Sequence, residues 1–304
     1  MKKAIVILGP TATGKTEWGI NLAKKFNGEI ISADSRTIYR YLNIGTAKPK
    51  GTKCKDGKGC LIVKGARHYL LDFVNPQSDY TVVNFQRDAL NLMKNIYKKG
   101  KIPIVVGGSP LYIYALLKRY EFSGGRDKKL RGELEGKSIK ELQMIARKSN
   151  NISLNKSDFQ NKRRLIRAIE KSKKSKSEIR NFSSFPIPYS FFKIGIKRKR
   201  EEIYERIDKR TETWFEIGFL KEIRGLVKMG LSLDNLKEFG LSYREATKYL
   251  SGEIQSISEL KKRINYCQHE YVRRQMNWFK KDKNIHWCEK IEEAEKLVSK
   301  FLKR

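Results

Sequence analysis

Nowhere does the 304-residue chain contain the roughly 18 consecutive apolar residues that a membrane-spanning helix needs, so we expect no membrane partner. The first residues pass directly into an apolar strand pattern, Ala4–Leu8, without a signal peptide, and we expect a cytoplasmic protein. Cysteine is scarce, and neither cysteine nor histidine shows the spacing of a zinc site. We therefore interpret Cys54, Cys60, Cys267 and Cys288 as free thiols in a reducing compartment.

Acidic residues are also few, because 33 Asp and Glu residues stand against 66 Lys and Arg residues, for a formal net charge of +33. A lysine-rich proteome would raise the charge of any protein, but a twofold basic excess favours a polyanionic partner such as a nucleic acid. Hydrophobic residues make up 39% of the chain, which is enough for a folded protein with one large or two modest domains.

One motif is specific for phosphate binding. It consists of Gly9, Pro10, Thr11, Ala12, Thr13, Gly14, Lys15 and Thr16, and it fits the G-x-x-x-x-G-K-[ST] loop between a strand and a helix. In such a loop, successive backbone N–H groups and the N-terminus of the helix point at a phosphate. Lys15 supplies a cation, and the Thr16 hydroxyl is a candidate ligand for Mg²⁺. The loop predicts a bound di- or triphosphate but leaves the reaction open.

Strand and helix patterns alternate over the first 120 residues. Short strands are predicted at Glu29–Ser32 and His68–Leu71, a long helix begins near Val82, and Ile102–Val106 has the composition of a buried strand. Such alternation predicts an α/β fold with a P-loop-type parallel sheet core. Within this region the segment between Cys54 and Cys60 is typical of a hairpin tip.

The alternation stops near Arg119. Residues 121–189 show helical patterns, with nine basic and two acidic residues between positions 162 and 180. Strand character returns at Phe191–Ile196, and helices are predicted from Glu201 and from Ser258 as an N-cap, the latter being the last helix. We therefore predict a discontinuous catalytic core, residues 1–120 and 190–304, interrupted by a basic helical insertion domain, residues 121–189, suited to nucleic acid.

The chemistry is constrained by the lack of an acidic residue after the buried strand Ile102–Val106. P-loop kinases and NTPases commonly hold Mg²⁺ with an acidic residue after a buried strand, but Ile102–Val106 ends in Gly107-Gly108-Ser109. That stretch is either a tight turn or a place where a ligand approaches the backbone beside the Ser109 hydroxyl. Asp34, at the end of the second strand, is either a general base or a helix N-cap. A transferase acting on RNA and a small-molecule kinase with an incidentally basic surface both remain possible.

Motifs along nearly the whole chain resemble those of the bacterial tRNA isopentenyltransferases, the tRNA dimethylallyltransferase family. The pair of motifs at 31–39 and 44–49 is far more specific than the phosphate-binding loop. The matching motifs are GPTATGKT at 9–16, ISADSRTIY at 31–39, IGTAKP at 44–49, HYLLD at 68–72, VGGSPLY at 106–112, NKRRLIRAIE at 161–170, EEIYERIDKR at 201–210, SYRE at 242–245 and RRQMNWF at 273–279.

The resemblance implies transfer of a dimethylallyl group from dimethylallyl diphosphate to N6 of the adenosine 3′-adjacent to the anticodon, with release of diphosphate. The P-loop, with Lys15 and Mg²⁺, then holds a diphosphate that leaves, which accounts for the missing acidic metal ligand. Asp34 matches the general base, and Ser109 occupies a position that is usually Thr. Arg206 and Arg210 match a helix that faces the active-site channel, where either is expected to clamp the diphosphate.

The resemblance also implies that the insertion domain binds the anticodon stem-loop of tRNA, and we expect a monomer. Tyr243 is a candidate for stacking on an anticodon-loop base and Arg244 for a phosphate contact. An adenine-nucleotide isopentenyltransferase, a P-loop kinase or NTPase that binds ATP, and an inactive RNA-binding protein are the alternatives. The predicted tRNA contacts are Asp34, Ser35, Arg36, Thr37, Ser109, Asp127, Gln160, Asn161, Lys162, Arg163, Arg164, Arg167, Tyr243 and Arg244.

Overall fold

The computed structural model describes residues 1–55, 59–118, 128–149, 152, 154–173 and 189–303. Contacts between Cα atoms divide the chain into two compact units, one formed by residues 1–119 and 188–304 and the other by residues 120–187. The larger unit carries the sheet, and the smaller unit is helical over its described residues. No helix in the described ranges combines the length and the hydropathy of a membrane span.

An eight-stranded sheet forms the centre of the larger unit. Its order is β3-β4-β5-β2-β6-β1-β7-β8. From β5 to β8 every neighbouring pair is parallel, which confirms the predicted parallel α/β core, and β3, β4 and β5 pair antiparallel. The strands are β1 Lys2–Leu8, β2 Gly28–Ser32, β3 Thr52–Lys53, β4 Cys60–Val63, β5 Ala66–Tyr69, β6 Ile102–Gly107, β7 Tyr189–Ile196 and β8 His286–Cys288.

The central strand β1 explains why the sequence begins with a continuous apolar run. Ile5 pairs with Ile104 on one side and with Phe192 on the other. All five residues from Ala4 to Leu8 are fully buried, because helices cover both faces of a parallel sheet. This buried strand delivers the phosphate-binding loop at its carboxyl end, the edge where ligands bind in open α/β sheets.

Helices surround the sheet and build the smaller unit. In the larger unit they are α1 Lys15–Lys25, α2 Val82–Lys98, α3 Pro110–Leu117, α8 Arg200–Glu216, α9 Phe219–Lys228, α10 Leu233–Lys237, α11 Leu241–Leu250, α12 Ile257–Phe279 and α13 Ile291–Lys303. In the smaller unit they are α4 Lys128–Glu135, α5 Ile139–Arg147, α6 Lys156–Phe159 and α7 Lys162–Ser172. The longest, α12, begins after Ser256, whose side chain accepts a hydrogen bond from the Glu259 N–H group.

Several predicted boundaries were wrong. The third strand ends at Tyr69 rather than Leu71, because Leu70 has a φ of 61°, outside the β region. Ser258 is not an N-cap but lies inside α12, since Ser256 caps that helix. The predicted last helix is followed by β8 and α13, and β8 pairs in parallel with the outer side of β7. A three-residue strand carries too short a pattern to be recognised in a sequence.

The interpretation of all four cysteines as free thiols was also wrong. Cys54 and Cys60 form a disulfide bond, whereas Cys267 and Cys288 are free. The antiparallel pairing of β3 with β4 brings the two Cα atoms to 5.4 Å, within the range that a disulfide spans. Reasoning from the redox compartment overlooked this local geometry.

The smaller unit has its own hydrophobic core. Leu142 and Ala146 of α5 pack with Leu165, Ile166 and Ile169 of α7. The spacing of these residues on α7 places its basic side chains on other faces of the helix. Burial of the apolar stripe therefore stabilises the packing of α7 against α5.

Candidate active site

The phosphate-binding loop has the curled backbone that its glycines predict. Gly14 has a φ of 92° and precedes α1, whose first residue is Lys15. Thr13 is fully buried, and its hydroxyl donates a hydrogen bond to the Pro10 carbonyl at 2.9 Å. The Arg198 Nε atom donates to the Thr13 carbonyl. These two hydrogen bonds, one within the loop and one from Arg198, stabilise the conformation of the loop.

The ends of β2 and β6 bring Asp34 next to the Gly-Gly-Ser turn. The Ala33 N–H group donates to the Val106 carbonyl at 2.8 Å. A Cβ atom at Gly107 would lie 2.2 Å from the Ala33 carbonyl oxygen, so only glycine permits this approach. Ala33 thus occupies the Cβ position of Gly107, while Gly107 and Gly108 also line the cavity described below, so the turn serves tight packing and stays open to a ligand.

Gln275 of α12 joins the phosphate-binding loop to the same turn. Its Oε1 atom accepts a hydrogen bond from the Thr11 N–H group at 3.0 Å, and its Nε2 atom donates to the Gly108 carbonyl. Gln275 is buried, and its bond to Gly108 lies in the interior, where the low dielectric strengthens it. The turn and the loop therefore have a fixed separation.

A cavity of about 320 Å³ lies over the phosphate-binding loop, and we call it the donor cavity. Its polar side contains loop residues, Asp34 and two arginines, and its apolar side is formed by side chains of β2, β6 and the segment after β5. The lining residues are Thr11, Ala12, Gly14, Lys15, Thr16, Ile30, Ser32, Asp34, Thr37, Thr46, Ala47, Pro49, His68, Leu71, Val106, Gly107, Gly108, Arg206 and Arg210.

The surroundings of two cations in the donor cavity, Lys15 and Arg210, destabilise their protonated forms. Burial is the main cause that lowers the pKa of Lys15 to about 8, although Asp34 opposes this shift. Burial, followed by the charge of Arg206, lowers the pKa of Arg210 to about 10. Cations held close together in one cavity form a site that favours a multivalent anion.

The two arginines of α8 differ in environment. Arg210 donates to the Thr11 hydroxyl at 3.1 Å and to Gln268, and its guanidinium lies 4.9 Å from the ring centre of Trp214. Arg206 is more exposed and lies 3.6 Å from the Glu202 carboxylate. Both line the donor cavity, so the structure brings together both residues that the resemblance offered.

A second cavity of about 420 Å³, the acceptor cavity, adjoins the first. It shares Thr11, Asp34, Thr46, Ala47 and Arg210 with the donor cavity. Its other lining residues are Ser35, Arg36, Gly45, Ser109, Trp214, Phe239, Gly240, Leu241, Ser242, Arg244, Gln268, Tyr271 and Arg274.

Asp34 stands where the two cavities meet. Its Oδ1 atom accepts hydrogen bonds from the N–H groups of Arg36 at 2.8 Å and Thr37 at 3.3 Å. Residues 33–38 form no helix, so the N-cap alternative for Asp34 does not apply. These bonds orient the carboxylate and leave it accessible to both cavities.

Ser109 and Tyr271 of α12 both line the acceptor cavity. Burial is the largest effect on Tyr271 and raises its pKa to about 12, so its hydroxyl stays protonated. The sequence had indicated Ser109 but not Tyr271.

The predicted tRNA contacts of the larger unit fall into three groups. Ser35, Arg36 and Arg244 line the acceptor cavity, whereas Thr37 is buried against the donor cavity. Tyr243 is only 1% exposed, and its hydroxyl donates to Glu222 at 2.6 Å. A ring so deeply buried cannot stack on an RNA base, so the proposed stacking role of Tyr243 was wrong.

In the smaller unit the predicted contacts surround the start of α7. Arg163 and Gln160 are exposed, and Asn161 caps the helix by accepting the Arg164 N–H group at 3.2 Å. Several basic residues also make contacts within the unit: Lys162 donates to the Glu135 carbonyl, Arg164 pairs with Asp158, and Arg167 pairs with the buried Glu170. Asp127 lies outside the described residues.

Sequence reasoning missed other residues around the two cavities. His68 is 3% exposed and lines the donor cavity, and its Nε2 atom has no partner among the described residues. Burial lowers the pKa of His68, so the ring is neutral. Gln275 belongs to a recognised motif and Trp214 to the helix predicted from Glu201, but their contacts depend on the packing of α8 and α12 and leave no signal in the sequence.

A phosphate-binding loop at the end of a parallel sheet, facing a second cavity across one carboxylate, defines a P-loop protein arranged for group transfer between two bound molecules. Comparison with known families agrees with this class. The model of the IPP transferase family matches residues 37–282, and the isopentenyl transferase model matches residues 2–68. The chain belongs to the IPP transferase family.

Individual relatives support the assignment over the full length. The chain is 38% identical over 313 aligned positions to a tRNA dimethylallyltransferase of Acetivibrio thermocellus, covering 100% of this chain and 97% of the relative. Its structure is similar to the tRNA isopentenylpyrophosphate transferase of Bacillus halodurans, with a TM-score of 0.73, 29% identity and coverage of 100% and 97%. A eukaryotic dimethylallyltransferase acting on tRNA gives a TM-score of 0.69 at 25% identity, covering 91% of this chain and 70% of that one.

Proposed function

We propose that this chain transfers a dimethylallyl group from dimethylallyl diphosphate to N6 of the adenosine 3′-adjacent to the anticodon in tRNA. The observation that supports the chemistry most directly is the position of Asp34 between the donor and acceptor cavities. Full-length similarity to tRNA dimethylallyltransferases supports the choice of substrates.

The donor diphosphate binds the loop with its oxygens facing the backbone N–H groups and Lys15. As the bond between the allylic carbon and the diphosphate oxygen breaks, negative charge grows on the leaving group. Lys15, Arg206 and Arg210, which all line that cavity, stabilise this charge electrostatically. The apolar side of the cavity holds the dimethylallyl group.

The acceptor adenine enters the other cavity with N6 directed at the allylic carbon. A new bond forms between N6 and this carbon, and the N6 proton passes to the Asp34 carboxylate, which acts as general base. Diphosphate leaves as the second product. Ser109 and Tyr271, which both line the acceptor cavity, orient the base.

This site fits a Mg²⁺ ion that is coordinated by the diphosphate of the donor. Within the described ranges no three His, Cys, Asp or Glu side chains group as ligands for a metal ion. Mg²⁺ nevertheless binds with few protein ligands when substrate phosphates and water complete its shell. Thr16 lines the donor cavity and would supply a hydroxyl oxygen. When bound, Mg²⁺ would neutralise part of the charge on the diphosphate.

The basic face of the smaller unit supports binding of the anticodon stem-loop. The target adenine must leave the base stack to reach the acceptor cavity, which costs a few kcal/mol that other contacts must offset. Arg36 and Arg244 at the acceptor cavity and Arg163 on α7 are the proposed phosphate or base contacts. We propose a monomer, because residues of one chain line both cavities, and a cytoplasmic location, where tRNA is found.

The function is tested by incubating the purified protein with dimethylallyl diphosphate, Mg²⁺ and tRNA that carries an unmodified adenosine beside the anticodon. Nucleoside mass spectrometry should show an adenosine heavier by one dimethylallyl group, with one diphosphate released per adduct. A parallel incubation with ATP should show no hydrolysis above background. Hydrolysis of ATP without an adduct would instead favour the kinase or NTPase alternative.

A further inference from the structure

The carboxylate of Glu222 on α9 binds three consecutive backbone N–H groups. Its Oε2 atom accepts hydrogen bonds from Asn43 at 2.8 Å and Ile44 at 2.7 Å, and its Oε1 atom accepts one from Gly45 at 3.3 Å. A charged acceptor strengthens such bonds to roughly twice the strength of neutral ones. One side chain therefore fixes the beginning of the segment 43–48.

Tyr243 and Phe219 support this contact from behind. The Tyr243 hydroxyl donates to Oε1 of Glu222 at 2.6 Å, and burial raises the pKa of Tyr243, so the hydroxyl keeps its proton. A Cβ atom at Gly45 would lie 2.5 Å from the Phe219 ring and 2.8 Å from the Tyr243 ring. The segment is thus pressed directly against both aromatic rings.

The other end of the segment is held by Lys48. Its Nζ atom donates to the Tyr39 carbonyl at 2.5 Å, to Asp72 at 2.7 Å and to the Asn43 side chain at 2.9 Å. The Lys48 side chain is only 4% exposed. Between these two anchors lie Thr46 and Ala47, which line both the donor and the acceptor cavity.

We propose that Glu222 is a positioning residue for prenyl transfer, because it fixes the wall that the donor and acceptor cavities share. This role rests on the proposed function. Glu222 lines neither cavity and acts through the backbone of residues 43–45. Reacting atoms must be held about 3–3.5 Å apart and aligned, and a misplacement of about 1 Å can slow a reaction about 100-fold. Loss of the anchor therefore affects the reaction step more than substrate binding.

The test uses three variants. Glu222→Gln keeps the shape of the side chain, but an amide has one acceptor oxygen and an NH₂ donor, so it cannot accept all four hydrogen bonds. Tyr243→Phe keeps the ring and removes only the hydroxyl. Glu216→Gln, an exposed position at the end of α8, makes the same change in charge away from the segment and serves as the matched control.

Two measurements are made at a temperature where all variants are folded by circular dichroism. Steady-state kinetics should give a kcat for Glu222→Gln about 10- to 100-fold below that of the unmodified chain, with both KM values within threefold. Tyr243→Phe should lower kcat about two- to fivefold, and Glu216→Gln should leave it unchanged. Hydrogen exchange followed by mass spectrometry should show faster exchange of peptides covering residues 43–45 in Glu222→Gln.

An unchanged kcat for Glu222→Gln would overturn the proposal, as would a uniform rise in exchange over the whole larger unit, which indicates a merely structural role. Failure of the proposed function has a different signature, since the unmodified chain would then form no prenylated adenosine. Hydrogen exchange of residues 43–45 measures the contact with Glu222 whether or not the chain forms prenylated adenosine.

Discussion

The carboxylate of Asp34 is held by nearby backbone N–H groups. Its Oδ1 atom accepts two backbone N–H groups, and among the described residues no partner bonds to Oδ2. One oxygen therefore fixes the carboxylate while the other can receive a proton. Its position at the junction of the cavities makes this residue a candidate base.

Replacing Asp34 by Ala should lower kcat about 10²- to 10⁴-fold, the usual contribution of a positioned acid–base group. Binding of tRNA should stay nearly intact, because its affinity comes mainly from cationic side chains that contact phosphates. Single-turnover kinetics and filter binding measure the two quantities, with Asp79→Ala as a control outside both cavities. Normal turnover by Asp34→Ala would exclude this residue as the base.

Lys15 predicts a pH dependence of donor binding. Its pKa in the free protein is lowered to about 8, mainly by burial. Because the protonated form binds the diphosphate, the affinity for dimethylallyl diphosphate should be highest below pH 8 and should fall as the pH rises through that value. Calorimetric titration between pH 6.5 and 9.5 measures this. A constant affinity over the range would show that the charge of Lys15 does not contribute to binding.

At the scale of elements, the sequence predicted the strands and loops that are encoded by a pattern of neighbouring residues. The continuous apolar run of β1 and the motif after it predicted a buried strand followed by a phosphate-binding loop, and both are present. Asp34 could be placed at a strand end because parallel strands present their carboxyl ends at one edge. These features need no knowledge of distant packing.

Features that depend on packing between distant elements could not be predicted. Gln275 reaches the loop across 264 positions of sequence, and Tyr243 is turned toward Glu222 by the packing of α9 and α11. The family motif around Tyr243 suggested an RNA contact, but a motif does not say which way a side chain points. The short β8 was missed for the different reason that three residues carry too little pattern.

Gln275 of α12, which hydrogen-bonds to both the phosphate-binding loop and the Gly-Gly-Ser turn, gives the prediction at the scale of elements. Gln275→Ala leaves the Thr11 N–H group and the Gly108 carbonyl without their partner, at a cost of about 1–3 kcal/mol for each buried group. The loop and the turn should separate, and kcat/KM for dimethylallyl diphosphate should fall about 10- to 100-fold. Asn277→Ala, at an exposed position of the same helix, is the control. Equal kcat/KM values for the two variants would mean that the hydrogen bonds of Gln275 have no part in donor binding.

At the scale of the whole molecule, the net charge of +33 has two possible origins, a general bias and an RNA-binding surface. The ion pairs of α7 show that part of its basic charge is neutralised within the smaller unit. Total charge is therefore a poor measure of the number of phosphate contacts. The salt dependence of binding counts those contacts directly.

The affinity for tRNA should fall steeply with ionic strength, with about one unit of slope in a plot of log K against log salt for each phosphate contacted. Replacing both Arg163 and Arg244 by Ala should reduce this slope by about two. Lys140→Ala with Lys148→Ala, exposed residues outside the predicted contacts, controls for the loss of two charges. A slope unaffected by the arginine changes would place the tRNA site elsewhere on the chain.

The choice of acceptor tests most directly whether the chain transfers a prenyl group from its diphosphate to the adenosine beside the anticodon of tRNA. The protein is given dimethylallyl diphosphate and, separately, unmodified tRNA, the same tRNA with guanosine 3′ of the anticodon, and adenosine monophosphate, and the products are identified by nucleoside mass spectrometry. We predict prenylated adenosine from the unmodified tRNA alone. Comparable product from adenosine monophosphate, or from the tRNA that carries guanosine, would contradict transfer to the adenosine beside the anticodon.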